Sequence, residues 1–122
     1  MQIENKSVLS MPLLKKFALE ILNGTKKREY RAFTDHWARR LCVFEDENDK
    51  YLATGIKHYD IVHFYPYNNK WYLDVRVENI GWYTVDDELI AEFSHEVELP
   101  PIGQQIFIIT LGEVIDTNLP RE

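Results

Sequence analysis

Lys26, Glu29 and Arg31 are the residues whose types and spacing can do chemistry, with Gly24 two positions before the lysine and Lys27 directly after it. An ammonium group beside a turn glycine can approach a phosphate or polarise a carbonyl oxygen. A carboxylate three residues on can accept hydrogen bonds from a base edge, serve as a proton acceptor if burial raises its pKa, or hold Arg31 as an internal partner. The guanidinium of Arg31 offers a planar fork suited to phosphate, carboxylate or a stacked base. On an extended segment Lys27, Glu29 and Arg31 share one face, and Arg28 and Tyr30 share the other, with Tyr30 turned toward the core. The charged groups are expected at a bend and on a solvent-facing strand surface, so the fold is not expected to depend on them.

Two elements must hold this stretch. Before it, Leu13, Leu14, Phe17, Ala18, Ile21 and Leu22 recur at i, i+4 and i+8, one apolar face of a helix that Pro12 is placed to open. Asn23-Gly24 then supplies the stop, since glycine takes positive φ without a Cβ penalty. After it comes a strand over 27–31, and Thr34 is placed to cap a second short helix with Asp35 in its first turn and Arg39 and Arg40 in its last. Further on, Glu45 to Lys50 reads as an exposed loop, and 59–65 as a strand before Pro66 and an Asn68-Asn69 turn. Trp71, Leu73, Val75 and Val77 alternate with Tyr72, Asp74, Arg76 and Glu78, which marks a strand with one core face. A short acidic helix fits 86–93, a buried strand 105–111, and a turn or bulge Gly112. Five or six short strands with one principal helix and one or two short ones indicate an α+β, mainly β fold, a small and partly open β-barrel in a single domain over 1–122.

Read as Gly-x-Lys-x-x-Glu-x-Arg after an Ile-Leu helix end, residues 21–31 resemble the signature of the ASCH domains, relatives of the PUA family of RNA-binding folds. The order of elements is compatible from about Ser7 to Ile115, and Gly103 to Gly112 resembles that family's closing strand. The resemblance implies a PUA-like barrel with the Gly-x-Lys turn overlooking a cleft. It also implies an RNA, nucleotide or modified-nucleoside ligand, held by Gly24, Lys26, Lys27, Glu29 and Arg31. Some of the wider ASCH group resemble small amidohydrolases acting on acetylcytidine, which pair the lysine with a threonine three residues on and a distant glutamate. Here Glu29 stands at the threonine position, Thr25 lies on the other side of Lys26, and Glu78, Glu88 or Glu92 would supply the remote carboxylate.

Composition narrows the classes. Residues 1–41 hold nine Lys and Arg against four Asp and Glu, whereas residues 42–122 hold five against sixteen. The basic part carries the motif, which favours a local contact over a broad phosphate-binding face. Lys15, Lys16, Arg39 and Arg40 read as solvated helix faces. The acidic remainder allows a further alternative, an adaptor meeting a basic protein. One cysteine, Cys42, permits no internal disulfide or thiolate cluster, and His36, His58, His63 and His95 show no ligand spacing, so no metal or cofactor is expected. No apolar run approaches the ~20 residues of a membrane span, and 1–6 lack a signal core, so a cytoplasmic, membrane-free protein is expected. There is no G-x-S-x-G elbow, P-loop or dinucleotide fingerprint. Tyr65, Tyr67, Trp71, Tyr72, Trp82 and Tyr83 can stack bases where exposed, but are expected mainly in the core.

Overall fold

The computed structural model describes residues 6–44, 53–93 and 99–120. The expected loop at 45–50 and His95 lie outside the described residues. In chain order the elements are β1 (Val8–Pro12), α1 (Lys15–Asn23), β2 (Arg28–Ala32), α2 (Asp35–Leu41), β3 (Cys42–Phe44), β4 (Ala53–Ile56), β5 (Ile61–Tyr65), β6 (Leu73–Thr84), α3 (Asp87–Phe93) and β7 (Gln105–Thr117). Strands dominate, as an α+β, mainly β chain requires. Hydrogen-bonded neighbours follow the order β1-β5-β6-β7-β2, and β3 with β4 forms a separate pair. The chain divides into two compact units, unit 1 built from residues 1–28, 58–79 and 110–122, and unit 2 from 29–57 and 80–109.

In unit 1, β1 runs parallel to β5 with Ser10 opposite His63, and β5 runs antiparallel to β6 with His63 opposite Asp74. Alternation does the sorting: Leu9, Met11, Val62, Phe64, Leu73 and Val75 are fully buried, and the residues between them line the opposite face. Pro12 ends β1 instead of opening the helix, because the N–H of Leu13 donates to the Tyr65 carbonyl at 2.9 Å and keeps the chain extended. α1 therefore starts at Lys15, with Leu14 as an extended N-cap lacking a side-chain cap bond. Leu14, expected on the buried face, is 62% exposed, whereas Ala18, Ile21 and Leu22 are buried. The Asn68-Asn69 turn is present, Asn69 taking φ 56° and the N–H of Lys70 donating to Asn68 Oδ1 at 3.1 Å.

The turn expected at Gly112 is absent, and β7 continues through it to Thr117. A β-carbon on Gly112 would come within 2.8 Å of Glu78 Oε2, the far end of a flexible and exposed side chain, so a larger residue there requires Glu78 to shift.

Unit 2 is centred on Val85, Leu89, Phe93, Ile106 and Ile108, with Tyr30, Ile90 and Leu99 packed against them. Tyr30 thus faces the core as its parity requires. Thr34 caps α2, its Oγ1 accepting from the N–H of Trp37 at 3.2 Å, and Asp35, Arg39 and Arg40 occupy the expected turns. Asp86 does the same for α3, its Oδ1 accepting from the N–H of Leu89 at 2.8 Å. Phe33 stacks on Trp82 with centroids 4.8 Å apart and on Phe107 at 5.4 Å.

Most of the aromatics expected in the core are not there. Trp71 is buried, but Tyr67, Trp82 and Tyr83 are 86%, 38% and 39% exposed, and Tyr65 and Tyr72 are half-buried. Tyr67 precedes the turn, and Tyr65 and Tyr72 fall on the strand face opposite the aliphatic one.

Candidate functional site

The motif opens at the end of α1. Gly24 takes φ 84°, and the peptide N–H groups of Thr25 and Lys26 both donate to the Glu20 carbonyl, at 3.0 and 3.2 Å. The Thr25 hydroxyl donates to the same oxygen at 3.1 Å. One carbonyl thus gathers the bend, and the Thr25 hydroxyl hydrogen is committed to the backbone. Lys27 then ties the bend to β7, its carbonyl accepting from the N–H of Leu111 at 2.9 Å. Between these anchors lies a cleft of about 260 Å³ lined by Ile21, Gly24, Lys26, Lys27, Leu111 and Gly112. The Glu78 carboxylate lies against Gly112 and so stands beside the cleft wall.

Lys26 departs from expectation, being 3% exposed. Among the described residues only Lys26 and Glu29 are buried charged side chains, and lysine is seldom buried unless its ammonium is engaged. Its Nζ lies 5.2 Å from the Phe17 ring centroid, within cation–π range, and Lys16 Nζ reaches the same ring at 5.4 Å. The bend redirects the chain inward at Lys26, and its stem is covered while Lys27 stays exposed. The expectation that the motif's charges sit on a solvent-facing surface is therefore corrected for Lys26 and Glu29.

The second half of the motif belongs to unit 2. Arg31 Nη1 donates to Glu29 Oε2 and, at 2.8 Å, to the Tyr30 carbonyl, and its guanidinium lies 5.5 Å over the Trp37 ring. Arg40 approaches that ring at 5.2 Å. Glu29 is thus an internal ion-pair partner of Arg31, with side chains 9% and 18% exposed. Gly24, Lys26 and Lys27 line one cleft, whereas Glu29 and Arg31 engage each other. Of the three remote carboxylates considered, Glu78 shares unit 1 with the cleft, and Glu88 and Glu92 lie on α3 of unit 2.

A second cleft, in unit 2, is lined by Arg39, Cys42, Val43, Phe44 and Lys57. Burial pushes the Cys42 thiol up, with Lys57 opposing part of that shift, so the sulfur is held as a thiol and is a poor nucleophile.

Sequence reasoning missed the polar face of the unit 1 strands. There His63 Nδ1 meets Asp74 Oδ1 at 2.5 Å, and the His63 ring stacks with Tyr65 and Tyr72, each at 6.0 Å. The Tyr72 hydroxyl donates to Asp116 Oδ2 at 3.0 Å, a bond that raises its pKa. The signal was present: the Asn68-Asn69 turn joins two strands whose alternation puts His63 and Asp74 on their non-core faces.

Among the described residues no three His, Cys, Asp or Glu side chains converge as a metal site, and no helix is long and apolar enough to cross a membrane. Compared with known proteins, the chain matches no protein-family model, no curated protein and no solved structure.

Proposed function

We propose that unit 1 is an ASCH-like ligand-binding module whose cleft takes RNA, a nucleotide or a modified nucleoside, with Gly24, Lys26 and Lys27 as the contacting residues. The observation that carries this reading is the nearly complete burial of Lys26 in the wall of a cleft. Burying an ammonium is costly, and a cation placed at a cleft that an exposed glycine backbone also lines suits an anionic or carbonyl-bearing ligand. The cleft's 260 Å³ lies near the lower end of small-molecule sites, which favours one nucleoside or nucleotide over a longer footprint. Glu29 and Arg31 fix the strand that follows.

The test is thermal shift of the protein against nucleosides, nucleotides and short single-stranded RNAs, because a ligand that binds only the native state raises its melting temperature. A shift that is lost in Lys26→Met supports the reading, and no shift with any of these ligands overturns it. RNA binding is expected to have a shallow salt slope and to favour single strands, since few cations reach phosphates at once and a cleft admits a splayed base.

A second reading, hydrolysis of an acylated nucleoside, draws on the Glu78 carboxylate beside Gly112. In that scheme Glu78 activates a water and Lys26 stabilises the developing oxyanion. Incubation with acetylcytidine decides it: turnover lost in both Lys26→Met and Glu78→Gln establishes hydrolysis, and binding without turnover leaves the module a binder.

A further inference from the structure

We propose that Ser10, His63 and Asp74, one row across β1, β5 and β6 of unit 1, form a serine-nucleophile site for acyl transfer from activated esters. The row follows from two registers that meet at one residue. Ser10 is the parallel partner of His63, and His63 is the antiparallel partner of Asp74. In both arrangements directly paired residues project to the same side, and neighbouring strands lie about 4.8 Å apart. The core confirms the side: Leu9, Met11, Val62, Phe64, Leu73 and Val75 are fully buried, and Ser10, His63 and Asp74 alternate with them.

All three stand on the opposite face and are half-buried. Side-chain exposures of 36% for His63 and 26% for Asp74 leave the pair open to a small substrate.

The contact between His63 and Asp74 sets the chemistry. A carboxylate oxygen only accepts, so the 2.5 Å contact to Asp74 Oδ1 places the ring hydrogen on Nδ1. In the neutral ring Nε2 then carries the lone pair and is the basic nitrogen. This is the tautomer that an aspartate imposes on a histidine base in serine hydrolases, a constellation defined by geometry and not by sequence order. The absence of a G-x-S-x-G elbow therefore does not bear on it. Beside the base, Tyr65 and Tyr72 stack against the imidazole at 6.0 Å, and the bond from the Tyr72 hydroxyl to Asp116 orients its ring. Two rings next to the base offer a surface for a flat leaving group, which points to aryl esters.

In the acylation step Ser10 Oγ attacks the ester carbonyl carbon and forms the new C–O bond, while its proton passes to His63 Nε2. Collapse of the tetrahedral intermediate breaks the bond to the leaving aryloxide, which takes the proton from Nε2. Water then attacks acyl-Ser10 with His63 again as base, releasing the carboxylic acid and restoring the serine. Ser10 and His63 are the catalytic residues, and Asp74 is a positioning residue that acts through His63.

The experiment treats the whole chain with p-nitrophenyl acetate, follows p-nitrophenolate release and locates the acetyl group by peptide mass spectrometry. The expected result is a burst close to one equivalent with acetyl on Ser10. Ser10→Ala abolishes burst and adduct, and His63→Gln slows release by about a hundredfold or more. Asp74→Asn lowers kcat with little change in KM, and Asp74→Glu restores part of the loss. The Lys26 cleft is read by a different measurement, the ligand-induced thermal shift, so this site and that cleft fail or stand separately. Acetyl only on lysine or histidine, no adduct, or undiminished release from Ser10→Ala overturns the proposal. The wild-type adduct map decides the matter even if a variant fails to fold.

Discussion

Two residues separate Lys26 in unit 1 from Glu29 in unit 2, and both are buried charges, one lining a cleft and the other engaging Arg31. Around Lys26 are an aromatic ring, backbone and a cleft. Around Glu29 the partner is Arg31, itself fixed by the Tyr30 carbonyl and by Trp37. A carboxylate that meets a guanidinium fork is satisfied within the fold, and removing either member leaves the other half-buried without it. Lys26 instead lies in the wall of a cleft, with its ammonium near the Phe17 ring. Proximity in sequence is therefore a poor guide to shared surroundings: one motif places a buried ion pair in one unit and a cleft-lining lysine in the other.

The sharpest way to test that division is to compare losses of stability. Val75→Asp sets the upper end, since Val75 is fully buried on the core face of β6 and a carboxylate there finds no partner. It is expected to cost on the order of 5 kcal/mol and to leave no cooperative melt by circular dichroism. Glu29→Ala comes next, at about 3 kcal/mol in urea denaturation, because it breaks a largely buried pair. A loss in the range of surface substitutions would show the pair to be dispensable.

Lys26→Ala is expected to cost about 1–2 kcal/mol, from the lost burial of its stem and of its contact with Phe17. Lys26→Met, which keeps the stem, should cost less while still losing the ligand-induced thermal shift. If Lys26→Ala is as damaging as Val75→Asp, the residue is structural and the cleft reading loses its centre.

The smallest effect is one of pH, at another charge of unit 1. The carboxyl of Asp60 is held below its ordinary range chiefly by the Ser7 N–H, at 2.9 Å, and then by His58. Its folded pKa lies below the unfolded one, so its contribution is present above the ordinary carboxylate range and is lost as pH falls through the folded value. Asp60→Asn should lower the melting temperature slightly at neutral pH and leave the acid end nearly unchanged, so the acid side of the curve of melting temperature against pH becomes flatter.

What was legible in the sequence was local. Gly24 as helix stop, Thr34 as cap, the Asn68-Asn69 turn and the alternation from Leu73 to Val77 each rest on neighbours within a few residues, and each is found in the structure. What was hidden depends on partners far along the chain. Lys26 is buried by a fold that periodicity does not describe, and Pro12 stays in β1 because Leu13 bonds to Tyr65. At Gly112 the strand runs on to Thr117, an extent that a local turn signal does not reveal. The pair β3 and β4 was missed as well. Its strands of three and four residues are too short to show a period, and the link between them falls outside the described residues.

The interleaving of the two units sets an order of synthesis. The chain passes from one unit to the other after Arg28, Lys57, Asn79 and Ile109, so neither unit is a continuous stretch. As the polypeptide leaves the ribosome, unit 2 holds all its segments once Ile109 has emerged, but unit 1 still lacks the residues from Thr110 onward. The fully buried faces of β1 and β5 are thus made before the sequence of their unit is complete, an interval in which a chaperone, or a neighbouring nascent chain, can find them.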